Sequence, residues 1–123
     1  KHFCLAPWIS ACLYPDESVL PCCIFDKKHI LGSMKTHSLR EIWNKNEIKS
    51  LRKKMMSNEP VKGCERCYIS EKYSSTPSLR QNINENYKKY ITLLNSTDVT
   101  GYLDAFKITY LDIRFSNKCN LKP

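Results

Sequence analysis

The chain has 123 residues, enough for one modest domain, and carries 20 Lys+Arg against 12 Asp+Glu for a formal charge of +8. No run approaches the ~20 apolar residues of a membrane span, and three glycines are too few for a P-loop or dinucleotide-binding loop. No helix-turn-helix, RNA-recognition motif or arginine-rich arm is present, so no specific nucleic-acid partner is expected.

The pattern predicts an α+β fold. Phe3 to about Asp26 reads as a β-hairpin, with Trp8–Tyr14 and Val19–Phe25 as strands around the turn residues Pro15-Asp-Glu-Ser18. The turn is expected to be strained, and Pro21 to lie on an edge or at a bulge. Ser38 with Glu41 forms a capping box that opens a helix. The apolar spacing stutters at Asn44-Lys-Asn46 before Ile48, Leu51 and Met55, which predicts two short helices. Pro60 and Gly63 then break the chain ahead of Cys64-Glu-Arg-Cys67, read as a turn. Thr76-Pro77 is expected to start a longer amphipathic helix, with Leu79, Ile83, Tyr87, Tyr90, Ile91 and Leu94 on one face. A linker around Gly101 leads to a C-terminal strand, 108–115. The expected division is 1–75 for a hairpin with cysteine-rich loops packed on short helices, 76–107 for helix and linker, and 108–123 for the last strand and loop.

The cations are scattered (Lys27-Lys28, Arg52-Lys53-Lys54, Lys88-Lys89) with acids between them. A solvated basic surface is the simplest reading, and docking of an acidic peptide, protein or nucleic acid is the alternative. Seven cysteines are dense and odd in number. The start at Lys1-His-Phe-Cys4 lacks the order of a signal peptide. Reduced cytoplasmic thiols employed on a metal or cluster are therefore expected, rather than disulfides. C-x-x-C is shared by zinc, redox and iron–sulfur sites, but a thioredoxin-like βαβ setting is missing. Cys4 and Cys22, at the two ends of the hairpin, are the candidates to complete a four-thiolate set with Cys64 and Cys67. Cys23 is an alternative to Cys22, and Cys12, mid-strand, reads as core. His2, His29 and His37 show no ligand spacing.

Five motifs come in order: Cys4-Leu-Ala-Pro-Trp8, Tyr14 to Cys22-Cys23, Leu31-Gly-Ser-Met34, Ser38-Leu-Arg-Glu-Ile-Trp43, and Cys64-x-x-Cys67. This series resembles the SPASM and twitch modules, auxiliary-cluster domains of radical S-adenosylmethionine enzymes. Glu17 stands where that pattern has glycine, and Ser33 where it has asparagine. No further cysteines follow directly after the C-x-x-C, so one auxiliary cluster, the twitch-type arrangement, is implied.

The strand ending in Phe115-Ser-Asn-Lys-Cys119-Asn-Leu-Lys-Pro123 resembles the first strand and cluster loop of the same enzymes. In their C-x-x-x-C-x-x-C signature, three thiolates hold a [4Fe–4S] cluster whose open iron binds S-adenosylmethionine. Cys119 fits the first ligand, and proline stands at the second. The resemblance implies an auxiliary [4Fe–4S] cluster on Cys4, Cys22, Cys64 and Cys67, with S-adenosylmethionine used only by the complete protein. It further implies a 5′-deoxyadenosyl radical as the oxidant and a peptide or protein as substrate. This chain, taken as a truncated region, is expected to be catalytically incomplete. A structural Cys₄ zinc module is the competing expectation, and the sequence specifies no oligomeric state.

Overall fold

The computed structural model describes residues 2–114 and has the expected α+β architecture, one four-stranded sheet with helices packed against it. The expected loop with Cys119 lies outside the described residues.

Helix α1 (Ala6–Ile9), with Pro7 in its first turn where no N–H is needed, leads directly into strand β1 (Ser10–Leu13). The first expected strand is therefore helical at its first two residues, Trp8 and Ile9. Strand β2 (Ser18–Leu20) returns antiparallel, with Cys12 opposite Leu20 and Leu13 opposite Val19. Between them Glu17 sits at φ 71, so the turn is strained as expected. Pro21 lies just past the end of β2, where its missing N–H costs no ladder bond.

Strand β3 (Gly32–Ser33) pairs with β2, and strand β4 (Tyr110–Ile113) pairs parallel with β1, giving the order β3-β2-β1-β4. Helix α2 (Leu39–Ile42) starts on the Ser38–Glu41 capping box, and helix α3 (Asn46–Met56) follows as the second of two short helices. Helix α4 (Glu65–Tyr73) begins directly after Cys64. The C-x-x-C pair, expected in a turn, thus opens a helix.

Helix α5 (Leu79–Asn86) is capped by Ser78 with Gln81, not by Thr76. The expected long helix is divided: beyond Asn86 the chain tightens into a 3₁₀ segment, Lys88–Ser96. Asn82, Asn84 and Asn86 are weak helix formers. The apolar spacing of three at Tyr87, Tyr90 and Leu93 fits a three-residue turn as well as an α-helical one.

One core holds these elements together, built from Trp8, Ile9, Leu20, Ile42, Trp43, Ile48 and Leu103, all nearly or wholly inaccessible. Both indole N–H groups find acceptors, Trp8 at Thr97 Oγ1 (2.8 Å) and Trp43 at the Ala105 carbonyl (3.1 Å). No described helix is long and apolar enough to cross a membrane.

Candidate metal centre

Cys4 precedes α1, Cys22 follows β2, and Cys64 and Cys67 flank the start of α4. These separate segments bring their four side chains to the wall of one small cavity, closed by Phe25, Leu79 and Ile83. Cys4 and Cys67 are buried, while Cys22 and Cys64 are partly exposed. None is in a disulfide. Cys12 is fully buried in β1, away from this cavity, as expected of a core residue. Cys23 lies on the neighbouring cleft instead.

Helix α5 locks the site from the other side. The Asn84 side chain brackets Cys4, accepting from the Leu5 N–H (2.9 Å) and donating to the Phe3 carbonyl (2.9 Å). Arg80 also donates to the Phe3 carbonyl (2.6 Å) and forms a two-pronged ion pair with Glu71 of α4 (2.8 and 2.6 Å). The Ser78 hydroxyl donates to the same carboxylate (2.6 Å). This pair fixes α4, and hence Cys67, against α5, with a bidentate geometry that holds direction as well as distance.

Backbone N–H groups point at three of the sulfurs: Ala6 at Cys4 (3.5 Å), Ile24 at Cys22 and Arg80 at Cys67. The Tyr68 hydroxyl faces Cys64. Donors of this kind stabilise thiolate over thiol and tune a metal that the sulfurs hold. Burial acts in the opposite sense and is stronger. It pushes the Cys4, Cys22 and Cys64 thiols up to about 12 and raises Cys67 as well, with the neighbouring sulfurs adding to the rise at Cys4, Cys22 and Cys64. A thioredoxin-like C-x-x-C has a lowered thiol pKa, the opposite direction to the raised thiols here. Four clustered thiols, two of them buried and two half-buried, are suited to a multiply charged inorganic group, which takes the place of the protons.

Among the described residues, no three His, Cys, Asp or Glu side chains stand close enough to hold a single metal ion. A zinc ion draws four sulfurs to about 2.3 Å from one point. A cubane cluster has no such requirement, since each thiolate binds a different iron.

A family model for the SPASM iron-sulfur cluster-binding domain matches residues 4–68, more than half of the chain. The chain belongs to that family. The SPASM match begins at Cys4 and ends just after Cys67, so it contains all four cavity-lining cysteines. No curated protein and no solved structure matches the chain. Arg80 and Asn84, which clamp Cys4, lie beyond the SPASM segment. Sequence reasoning assigned helix α5 only a packing role. The available signal was Ser78 with Gln81, which marks the true start of α5; Arg80 and Asn84 share one helical face from there.

Proposed function

We propose that Cys4, Cys22, Cys64 and Cys67 hold one [4Fe–4S] cluster, and that the chain is the auxiliary-cluster region of a radical S-adenosylmethionine enzyme acting on a peptide or protein. The observation that carries this reading is the shared cavity of four cysteines from three separate segments, lined otherwise by apolar side chains and the Arg80 stem. The donor set fits the group: four thiols, N–H donors aimed at sulfur, and no carboxylate among the cavity-lining residues. With all four irons held by thiolates, such a cluster would supply electron transfer.

The chain's own residues have three tasks in this reading. Phe25, Leu79 and Ile83 exclude water from the sulfurs. Ala6, Ile24 and Arg80 donate backbone N–H groups to them, and Asn84 with the Glu71–Arg80 pair holds Cys4 and Cys67 in register. Cys119 would be a ligand of a separate cluster in the complete enzyme, where S-adenosylmethionine binds. A reducing compartment such as the cytoplasm, which keeps the thiols free, belongs to the same proposal.

Metal and sulfide analysis of anaerobically purified protein tests the assignment. About four irons with matching acid-labile sulfide per chain are expected; one zinc and no sulfide would replace the cluster with a structural site. Cys64→Ala and Cys67→Ala are expected to lose the iron, and Cys12→Ala to keep it. Equal loss from all three variants would remove the ligand assignment.

A further inference from the structure

Next to the four-cysteine cavity lies an open cleft of about 630 Å³. Phe25 and Gly63 line both spaces, so the cleft and the cysteine cavity share a wall. Cations from separate parts of the chain converge on the cleft: Lys27 after the hairpin, Lys62 and Arg66 around the C-x-x-C, and Arg114 after β4. Tyr14 also lines it, with Lys27 Nζ 4.4 Å and Arg114 Cζ 5.8 Å from the ring centroid. Arg114 is neutralised by Asp112 (3.2 Å). Lys27, Lys62 and Arg66 have no ion pair among the described residues.

Unpaired cations gathered in a concave, partly apolar surface focus a positive field and attract carboxylates or phosphates. Two features favour carboxylates on a polypeptide over nucleic acid. Asp26 and Glu65 stand among the cations, and they would repel a continuous phosphate backbone while tolerating spaced side-chain charges. The Tyr14 ring, already engaged by two cations, is a poor platform for stacking a base.

We propose that this cleft binds an extended, carboxylate-bearing segment of a polypeptide, with Lys27, Lys62 and Arg66 as its charge partners. The proposal deepens the peptide-acting reading given above and rests on it for the choice of a polypeptide. The ligand would lie one side chain away from the cysteine cavity, across Phe25.

Fluorescence anisotropy on the anaerobically purified protein tests it. The probes are a short labelled peptide with glutamate at alternate positions, its glutamine counterpart, and a single-stranded RNA of equal charge. The glutamate peptide is expected to bind about tenfold or more tighter than the glutamine one, and Lys62→Glu with Arg66→Glu to remove that preference. Lys88→Glu with Lys89→Glu, an equal charge change outside the cleft, is expected to shift binding by no more than about twofold. If the Lys62 and Arg66 changes disturb the adjacent cysteines, Lys27→Glu on its exposed turn carries the same expectation. Equal binding of both peptides, equal effects of the two double variants, or tighter binding of the RNA would overturn the proposal. Iron content measured on the same samples keeps the readings apart: an unaltered protein that takes up no iron but keeps its charge preference counts against the cluster and not against the cleft.

Discussion

Two buried polar centres sit in this molecule, and they are built on opposite terms. One is Arg52 of α3, wholly inaccessible, which donates to the carbonyls of Pro7 (2.9 Å), Gly101 (3.0 Å) and Trp43 (2.8 Å) and to Asn44 Oδ1 (3.0 Å). Its guanidinium also stacks 4.9 Å from the centre of the Trp43 ring. Burial lowers its pKa to about 10, which leaves it charged at neutral pH. The other centre is the four-cysteine cavity, where burial raises every thiol and N–H and O–H donors face the sulfurs. The arginine is satisfied by protein alone. The cysteines are, in the reading proposed above, the ligands of a cluster. That contrast separates a polar group that builds the fold from the set proposed to hold the cluster.

The strongest way to break the comparison is to remove the arginine. Each hydrogen bond to a charged group contributes about 1.5–3 kcal/mol, and a truncated side chain would leave several buried acceptors unpaired. Arg52→Met is therefore expected to cost at least about 3 kcal/mol in urea unfolding, a large share of a small domain's stability. The loss should be the same with and without iron. Arg52→Lys should recover only part of it, because one ammonium cannot reproduce the planar fork. A cost that vanished on cluster loading would show the two centres to be one coupled system.

A smaller effect is expected at the wall between cleft and cysteines. The Phe25 ring occupies the space that a Cβ on Gly63 would need. Gly63→Ala must displace that ring, at an overpacking cost of about 1–3 kcal/mol, while leaving every thiol in place. The expected result is a chain that still takes up iron anaerobically but bleaches several-fold faster in air, followed by the visible absorbance of the cluster. Unchanged bleaching would mean that Phe25 is packing only and shields nothing.

The four cysteines that line the shared cavity were legible as candidates because they carry local signals: Cys64-x-x-Cys67 by spacing, Cys4 and Cys22 by their position around a hairpin with clear turn residues. The capping box at Ser38 was equally readable, since both partners lie within one turn. Arg52 was not. It sits in a run, Arg52-Lys53-Lys54, that reads as solvated charge, and two of its acceptors, Pro7 and Gly101, are 45 and 49 residues away. The Glu71–Arg80 pair was hidden for the same reason, its partners being on two helices whose packing angle no local pattern encodes. The parallel pairing of β4 with β1 joins the two ends of the described chain. Hydrophobic periodicity gives a strand but not its neighbour.

The two centres also differ in how they handle left-handed backbone, and this gives the smallest of the expected effects. Next to Arg52 the position at φ 92 is Gly101, and a side chain there would collide with the Lys49 carbonyl. In the hairpin that delivers Cys22, the position at φ 71 is Glu17. A non-glycine residue there carries a penalty of about 1–2 kcal/mol, partly offset because glycine would gain about 0.5–1 kcal/mol more freedom in the unfolded chain. The Glu17 carbonyl accepts the Met34 N–H (2.8 Å) and its N–H donates to the Tyr14 carbonyl (2.8 Å), so the turn is held by backbone bonds that glycine keeps. Glu17→Gly is therefore expected to stabilise the protein by about 0.5–1 kcal/mol, a rise of about 2–5 °C in Tm. Iron content should not change, because the substitution relaxes the turn without moving Cys22. A fall in Tm would mean that the Glu17 side chain contributes more than its strained backbone costs. A change in iron content would mean that the hairpin turn sets the sulfur geometry directly.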